Sequence, residues 1–231
     1  MSQSAVVILA GVLIAVLLQL FIVQPSTSKQ LEIQKTVEAD AAALRLNHYL
    51  ESMQRSVNSL AKRPDIIAAV SDRSGIAAAK TALESSLPGI EGVHLFSYRD
   101  IPRTTQGNAL LGFAGLELAR KAETGQPLHP DAFPKDDQWF IQFATPVRNP
   151  VSNAVTGSLL VVFSAAQLNP LLKVVNKQLG GQLALIQTAS GTSRTIAGAG
   201  NASDAAEVRT LSNPDWSVAY TPSQGLAAPI D

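Results

Sequence analysis

From Ala5 to Val23 the chain reads AVVILAGVLIAVLLQLFIV, with Gln19 its single strongly polar residue and no polar stripe. At about 1.5 Å per residue this run spans roughly 28 Å, the thickness of a bilayer's hydrocarbon layer, and it predicts a transmembrane anchor over 5–23 behind a short flank, 1–4. A cleaved signal peptide is the rival reading, with Ser26-Thr27-Ser28 as a weak cleavage site. Its apolar region usually runs about 7–15 residues behind a basic start, and Met1–Ser4 carry no Lys or Arg. After a polar linker over 24–35 the period changes. Ala39, Ala43, Leu46, Leu50, Met53, Val57 and Leu60 follow one another in alternating steps of four and three, a heptad stripe that predicts one long helix over 36–62. Pro64 ends it by disfavouring helical geometry at Arg63. The stripe has two possible uses: pairing with its copy in a homodimer, or docking on the chain's own sheet. Small residues at its first two positions favour docking.

Beyond residue 63 the pattern is mixed. Ile66–Val70, Ile76–Leu87, Leu111–Lys121 and Leu168–Leu179 read as helices, the last closed by Gly180-Gly181. Val93–Tyr98, Gln138–Val147, Val155–Ser164, Gln182–Gln187, Arg194–Ala197, Glu207–Leu211 and Asp215–Tyr220 read as strands. In the last, Trp216, Val218 and Tyr220 alternate with Ser217 and Ala219, as in a strand with one buried face. Short turns such as Asn149–Asn153 require antiparallel neighbours. The expectation is an α+β chain: an N-terminal transmembrane helix, a long juxtamembrane helix, then one antiparallel sheet with flanking helices over 63–221, and a loose tail over 222–231.

Charge adds little to this picture. The 231 residues hold 18 basic and 18 acidic side chains, all beyond Ser28. Neither balance nor clustering points to nucleic acid. With no cysteine there is no disulfide, thiolate metal site or cysteine nucleophile. His48, His94 and His129 lie far apart without a second ligand at metal spacing, and no phosphate loop or nucleophile elbow occurs. The residues imply no enzyme, no metal and no cofactor. One candidate ligand site remains: His94, Tyr98, Arg99 and Arg103 on or just beyond a strand, with Gln142 interrupting an apolar strand and Arg148 ending it. If they converge, the guanidinium groups would hold a small carboxylate; the plainer reading leaves the arginines solvated. Gly11, Ala15 and Gln19 share one face of the anchor and, with Leu46, Leu50, Met53 and Val57, form the candidate helix interface of a homodimer.

An anchor, a long helix leaving the membrane and an antiparallel sheet resemble the extracytoplasmic Cache class of PAS-like bacterial sensor domains. The likeness is carried by Lys62-Arg63-Pro64-Asp65-Ile66-Ile67, by Phe143–Val147 turning into Gly157–Phe163, and by Pro214–Tyr220. Phe113–Glu123 and the Gly157–Leu168 stretch also resemble the non-catalytic amino-terminal region of long-form bacterial phosphomannomutase/phosphoglucomutase. The paired-arginine, tyrosine and aspartate motif of amino-acid-binding Cache domains has no match here. Nor has the mutase serine loop, because Thr188-Ala189-Ser190 is followed by Gly191-Thr192. The resemblance implies a non-catalytic sensory or regulatory module on the bacterial inner membrane, single-pass with its bulk in the periplasm, and a stand-alone or split relative of a mutase-type protein. Its output would come from a partner or from a portion of the protein missing here, since no further span or signalling unit follows Tyr220. Flanking charge opposes that orientation, because Lys29 and Lys35 both follow the span; a basic leader upstream of Met1 would reconcile the two. The alternative is a structural inner-membrane assembly factor dimerising through the anchor and the juxtamembrane helix.

Overall fold

In the computed structural model the described residues are 24–86, 88–105, 110–176, 179–189, 191–200 and 202–223. The 5–23 segment with Gly11, Ala15 and Gln19 lies outside them, as does the tail from 224 onward. Among the described residues no helix is long and apolar enough to cross a membrane.

The heptad stripe sits on α1, Gln24–Leu60. The helix therefore also covers 24–35, the stretch that its turn-forming residues had marked as a linker. Six of the seven stripe residues are buried and Met53 packs half-buried against them. They face the chain's own sheets, so Leu46, Leu50 and Val57 belong to the intramolecular core with Met53 packed against it, the arrangement of the docking use of the stripe. Proline sets the end of the helix. Arg63 is extended (φ −66°, ψ 137°), and Pro64 opens α2, Pro64–Asp72, where its missing N–H costs nothing. Helix α3, Ile76–Glu84, follows.

Two four-stranded antiparallel sheets stand where the strand pattern had suggested one. The first has the order β1-β4-β3-β2, from β1 Ile90–Ser97, β2 Asp131–Lys135, β3 Gln138–Arg148 and β4 Val155–Ser164. The second has the order β6-β5-β8-β7, from β5 Gln182–Ala189, β6 Thr192–Gly198, β7 Glu207–Thr210 and β8 Trp216–Thr221. Helix α4, Phe113–Thr124, connects β1 to β2. A 3-10 segment, Ala165–Leu172, leads out of β4. In place of the α-helix expected over 168–179, the described residues carry this 3-10 segment, with Pro170 inside it, and no regular helix from Lys173 to Asn176.

One core joins both sheets to the long helix. Val93, Leu95, Ile141, Phe143, Leu159, Val161 and Phe163 from the first sheet share it with Leu185, Trp216, Val218 and Tyr220 from the second. The opposite face of the first sheet packs separately under α4, through Phe96, Ala144 and Leu160 against Leu116, Leu118, Ala119 and Ala122. The first sheet thus has one face toward α1 and the short helices and one toward α4, and the second carries the unusual chemistry.

Candidate functional site

Among the described residues several buried polar side chains are paired, as the cost of desolvating an unpaired group requires, although Arg45 Nη2 on α1 lacks a partner while its Nε donates to the Leu171 carbonyl. Ser97 Oγ donates to the Val70 carbonyl at 2.7 Å. Asn213 donates through Nδ2 to the Pro130 carbonyl at 2.8 Å and accepts from the Asp215 N–H. The Glu38 carboxylate accepts from the N–H groups of Val175 (3.3 Å) and Asn176 (2.7 Å). On the α4 face of the first sheet this rule fails three times. Gln142 has neither amide atom partnered, and His94 Nε2 and Ser158 Oγ are also without partners. Gln142 and Ser158 are fully buried and His94 is 6% exposed.

Strand register brings the three together. His94 on β1 faces Leu160 on β4, which faces Ala144 on β3; Gln142 faces Val162 on β4, and Ser158 lies across from Phe96. Alternation then places His94, Ser158 and Gln142 on one face. With neighbouring strands about 4.8 Å apart, His94 and Gln142 flank a patch roughly 10 Å across, floored by Leu160 and Ala144. Helix α4 lies directly over it. A Cβ on Gly115 would stand 2.6 Å from Gln142 Oε1, so a larger residue there would require the Gln142 amide or the helix to shift. The β1–α4 loop is tied to the same helix: the Arg99 N–H donates to the Glu123 carboxylate at 3.2 Å, and Arg120 Nη2 donates to the Pro102 carbonyl at 3.2 Å.

The electrostatics are those of a neutral wall. Burial, aided by the charge of Lys80, pushes the His94 imidazole down to about 4 against the pull of a hydrogen bond with the Leu110 backbone, so it is uncharged at neutral pH. Burial raises the Glu123 carboxyl above its ordinary value, against the Arg99 N–H and charge. Asp131, on the edge strand, is the register partner of Gln142, and its Oδ1 already accepts from Gln187 Nε2 (2.6 Å) and from the Ala132 N–H (2.8 Å). His94 and Ser158 make no hydrogen bond with each other, so they do not form an activated nucleophile pair.

Of the six residues chosen from sequence, His94 and Gln142 enter this face. Tyr98, Arg99 and Arg103 are exposed, with the Arg99 guanidinium 5.2 Å from the Tyr98 ring centre. Arg148 lies in a different place, a groove at the far end of β3. The arginines do not converge on His94 and Gln142, and the buried face offers no guanidinium to a carboxylate. Ser158 was missed; a lone serine in an apolar strand gives no signal until its neighbours are known. Among the described residues no group of three or more His, Asp and Glu stands ready to hold a metal ion.

The architecture has clear relatives among solved structures. The ligand-binding domain of Mlp24 with asparagine superposes with a TM-score of 0.57 at 18% identity, covering 86% of this chain and 96% of that one. For the ligand-binding domain of the Campylobacter jejuni chemoreceptor Tlp3 with L-norvaline the score is 0.55 at 12% identity, over 90% and 95%. For the ligand-binding domain of the Pseudomonas aeruginosa PAO1 amino acid chemoreceptor PctC with GABA it is 0.52 at 14% identity, over 83% and 99%. The fold is that of bacterial chemoreceptor ligand-binding domains. No protein-family model and no curated protein matches the sequence.

Proposed function

We propose that this chain is a non-catalytic sensory module, tethered to the bacterial inner membrane by its 5–23 segment with the folded part in the periplasm, which takes a small polar ligand without net charge against His94, Gln142 and Ser158 beneath α4. The observation that carries this is the clustering on one sheet face of three uncharged, fully or nearly fully buried side chains with unpaired atoms, those of His94, Gln142 and Ser158. Leaving such groups unpaired costs about 1–3 kcal/mol each, and a ligand that pairs them recovers that stability. The chemoreceptor domains of the same fold are described with amino acids or GABA bound, which supports a small-molecule role. A carboxylate finds no guanidinium on this face and only the charge of Lys80 beside His94, which favours amides, polyols or sugars. The resemblance to the mutase amino-terminal region has no counterpart among the structures named above and takes no part in this reading.

Transmission follows from the packing. A ligand wedged under α4 bears on the first sheet, and α1, packed on that sheet's other face and on the second sheet, runs back to Gln24 at the edge of the apolar segment. The ligand shifts α1 only by as much as it prefers one helix position over another. The test is a thermal-shift titration of the full chain in nonionic micelles with uncharged amides, polyols and monosaccharides beside amino acids and carboxylates. A rise in melting temperature with an uncharged compound, absent in Gln142→Leu and His94→Leu, is the expected result. No response to any member, or a response that survives both variants, overturns the proposal. For the tether, a topology reporter fused at Asp231 should be active in the periplasm; activity confined to the cytosol refutes that part.

A further inference from the structure

Arg148 leads to a second feature, at the open edge of the first sheet. β2 pairs with β3 only from Gln138 to Gln142, so the outer edge of β3 beyond that point carries no strand. The edge is nevertheless closed to strand addition. Pro146 has no N–H to offer, and Gln54 Nε2 of α1 occupies the Ala144 carbonyl at 3.2 Å. Side chains fill the role a strand would have had, and they border a groove of about 620 Å³ between the far end of α1, the α4–β2 link and the β3–β4 turn. That volume lies in the range of small-molecule sites.

The chemistry of the groove has one sign. Lys62 and Arg148 line it, and no carboxylate does among the described residues. Its amides are committed so that donors remain. Gln54 Nε2 donates to Asn58 Oδ1 at 3.0 Å, which uses the acceptor of Asn58 and leaves its Nδ2. Asn149 Oδ1 accepts from the N–H groups of Val151 and Ser152 at 2.9 and 3.0 Å, which again leaves Nδ2. Arg148 Nη1 is anchored on the Asn153 carbonyl at 3.0 Å, fixing the guanidinium while its other N–H groups stay available. The turn that carries these groups is itself held by the Asn149 N–H to Ala154 carbonyl and Asn153 N–H to Asn149 carbonyl bonds, both 2.9 Å. Ile67 and Leu128 add apolar wall.

We infer that this groove is a second binding site, for a small organic oxyanion held by Lys62 and Arg148 and oriented by Asn58 and Asn149. It is distinct from the place proposed beneath α4, because none of His94, Gln142 and Ser158 lines it. A guanidinium fork with an ammonium beside it binds a carboxylate or a phosphate alike, so both are used as probes.

The experiment is calorimetric titration of the full chain in nonionic micelles with succinate, inorganic phosphate and, as the uncharged counterpart, succinamide. Succinate or phosphate should bind with Kd below about 1 mM, weakening as salt rises from about 0.02 to about 0.2 M, and succinamide should not bind. Preference for succinate marks contact with Ile67 and Leu128, and preference for phosphate marks recognition of the oxyanion alone; both support the site. The Lys62→Ala/Arg148→Ala double variant should lose at least about tenfold in affinity with an unchanged melting temperature, and Arg148→Lys should retain part of it. His94→Leu and Gln142→Leu should bind the anion as the wild type does. The inference falls if neither anion binds, if succinamide binds as well as succinate, or if the double variant binds undiminished.

Discussion

The pH dependence of stability tests the environment of His94 directly. In the unfolded chain its imidazole titrates at its ordinary value of 6.5, whereas in the fold burial holds it at about 4. Above pH 6.5 the group is neutral in both states and adds no pH dependence. As pH falls below 6.5 the unfolded chain takes up a proton that the native one refuses until about pH 4, so stability is lost across that window. The full difference, 6.5 to about 4, corresponds to about 3 kcal/mol, of which about 2 kcal/mol is already gone at pH 5. Urea unfolding of the full chain in nonionic micelles at pH 7.5 and pH 5 reads this, with His94→Leu as reference. The variant cannot titrate at that position, and the shifted carboxyls of Asp65, lowered by its hydrogen bond from Arg63, and Glu123, raised by burial, are common to both proteins and cancel. Wild type should therefore lose about 2 kcal/mol more than His94→Leu between the two pH values. Equal losses would mean that the imidazole is solvated in the native state, and the neutral wall would go with it.

Three further expectations follow from contacts. Gln142→Leu replaces an amide with two unpaired atoms by an apolar side chain of similar volume, and should raise stability by about 1–2 kcal/mol, or a few degrees in melting temperature; a lower melting point would show that the amide is satisfied in solution. Gly157→Ala places a methyl against the Phe96 carbonyl oxygen and Val70 Cγ1, where β1–β4 pairing prevents the backbone from yielding, and should cost about 2–3 kcal/mol in urea unfolding. Glu38→Ala takes the acceptor from two N–H groups and should cost about 1.5–3 kcal/mol, with faster hydrogen exchange at 175–176, whereas Glu38→Gln keeps most of the stability.

Period and punctuation carried much of the architecture. The bounds of β4 at Val155 and Ser164, the alternation of Trp216, Val218 and Tyr220, the buried stripe of α1 and the break at Pro64 were all legible, because each is set by residues within a few positions of one another. β2 was not. Asp131–Lys135 is five residues with Pro134 inside it, and it is a strand only because β3 offers an edge.

The candidate site divides along the same line. His94 and Gln142 could be picked out as polar interruptions of apolar strands, but a strand's own pattern says only which residues share its face. It does not say which strand lies beside it. β1 pairs with β4, across more than fifty residues of chain, and that pairing puts Ser158 with His94 and leaves Arg99 and Arg103 in solvent. The same long-range choice makes two sheets from strands that read locally as one series, and it sends Arg148 to a groove shared with Lys62. The sequence alone determined an apolar leading segment, a helix with one buried stripe and a set of antiparallel strands, since these depend on period and turn chemistry. Which polar groups are buried together, and left unpaired, was decided only when distant strands met, because burial and pairing are properties of neighbours in space.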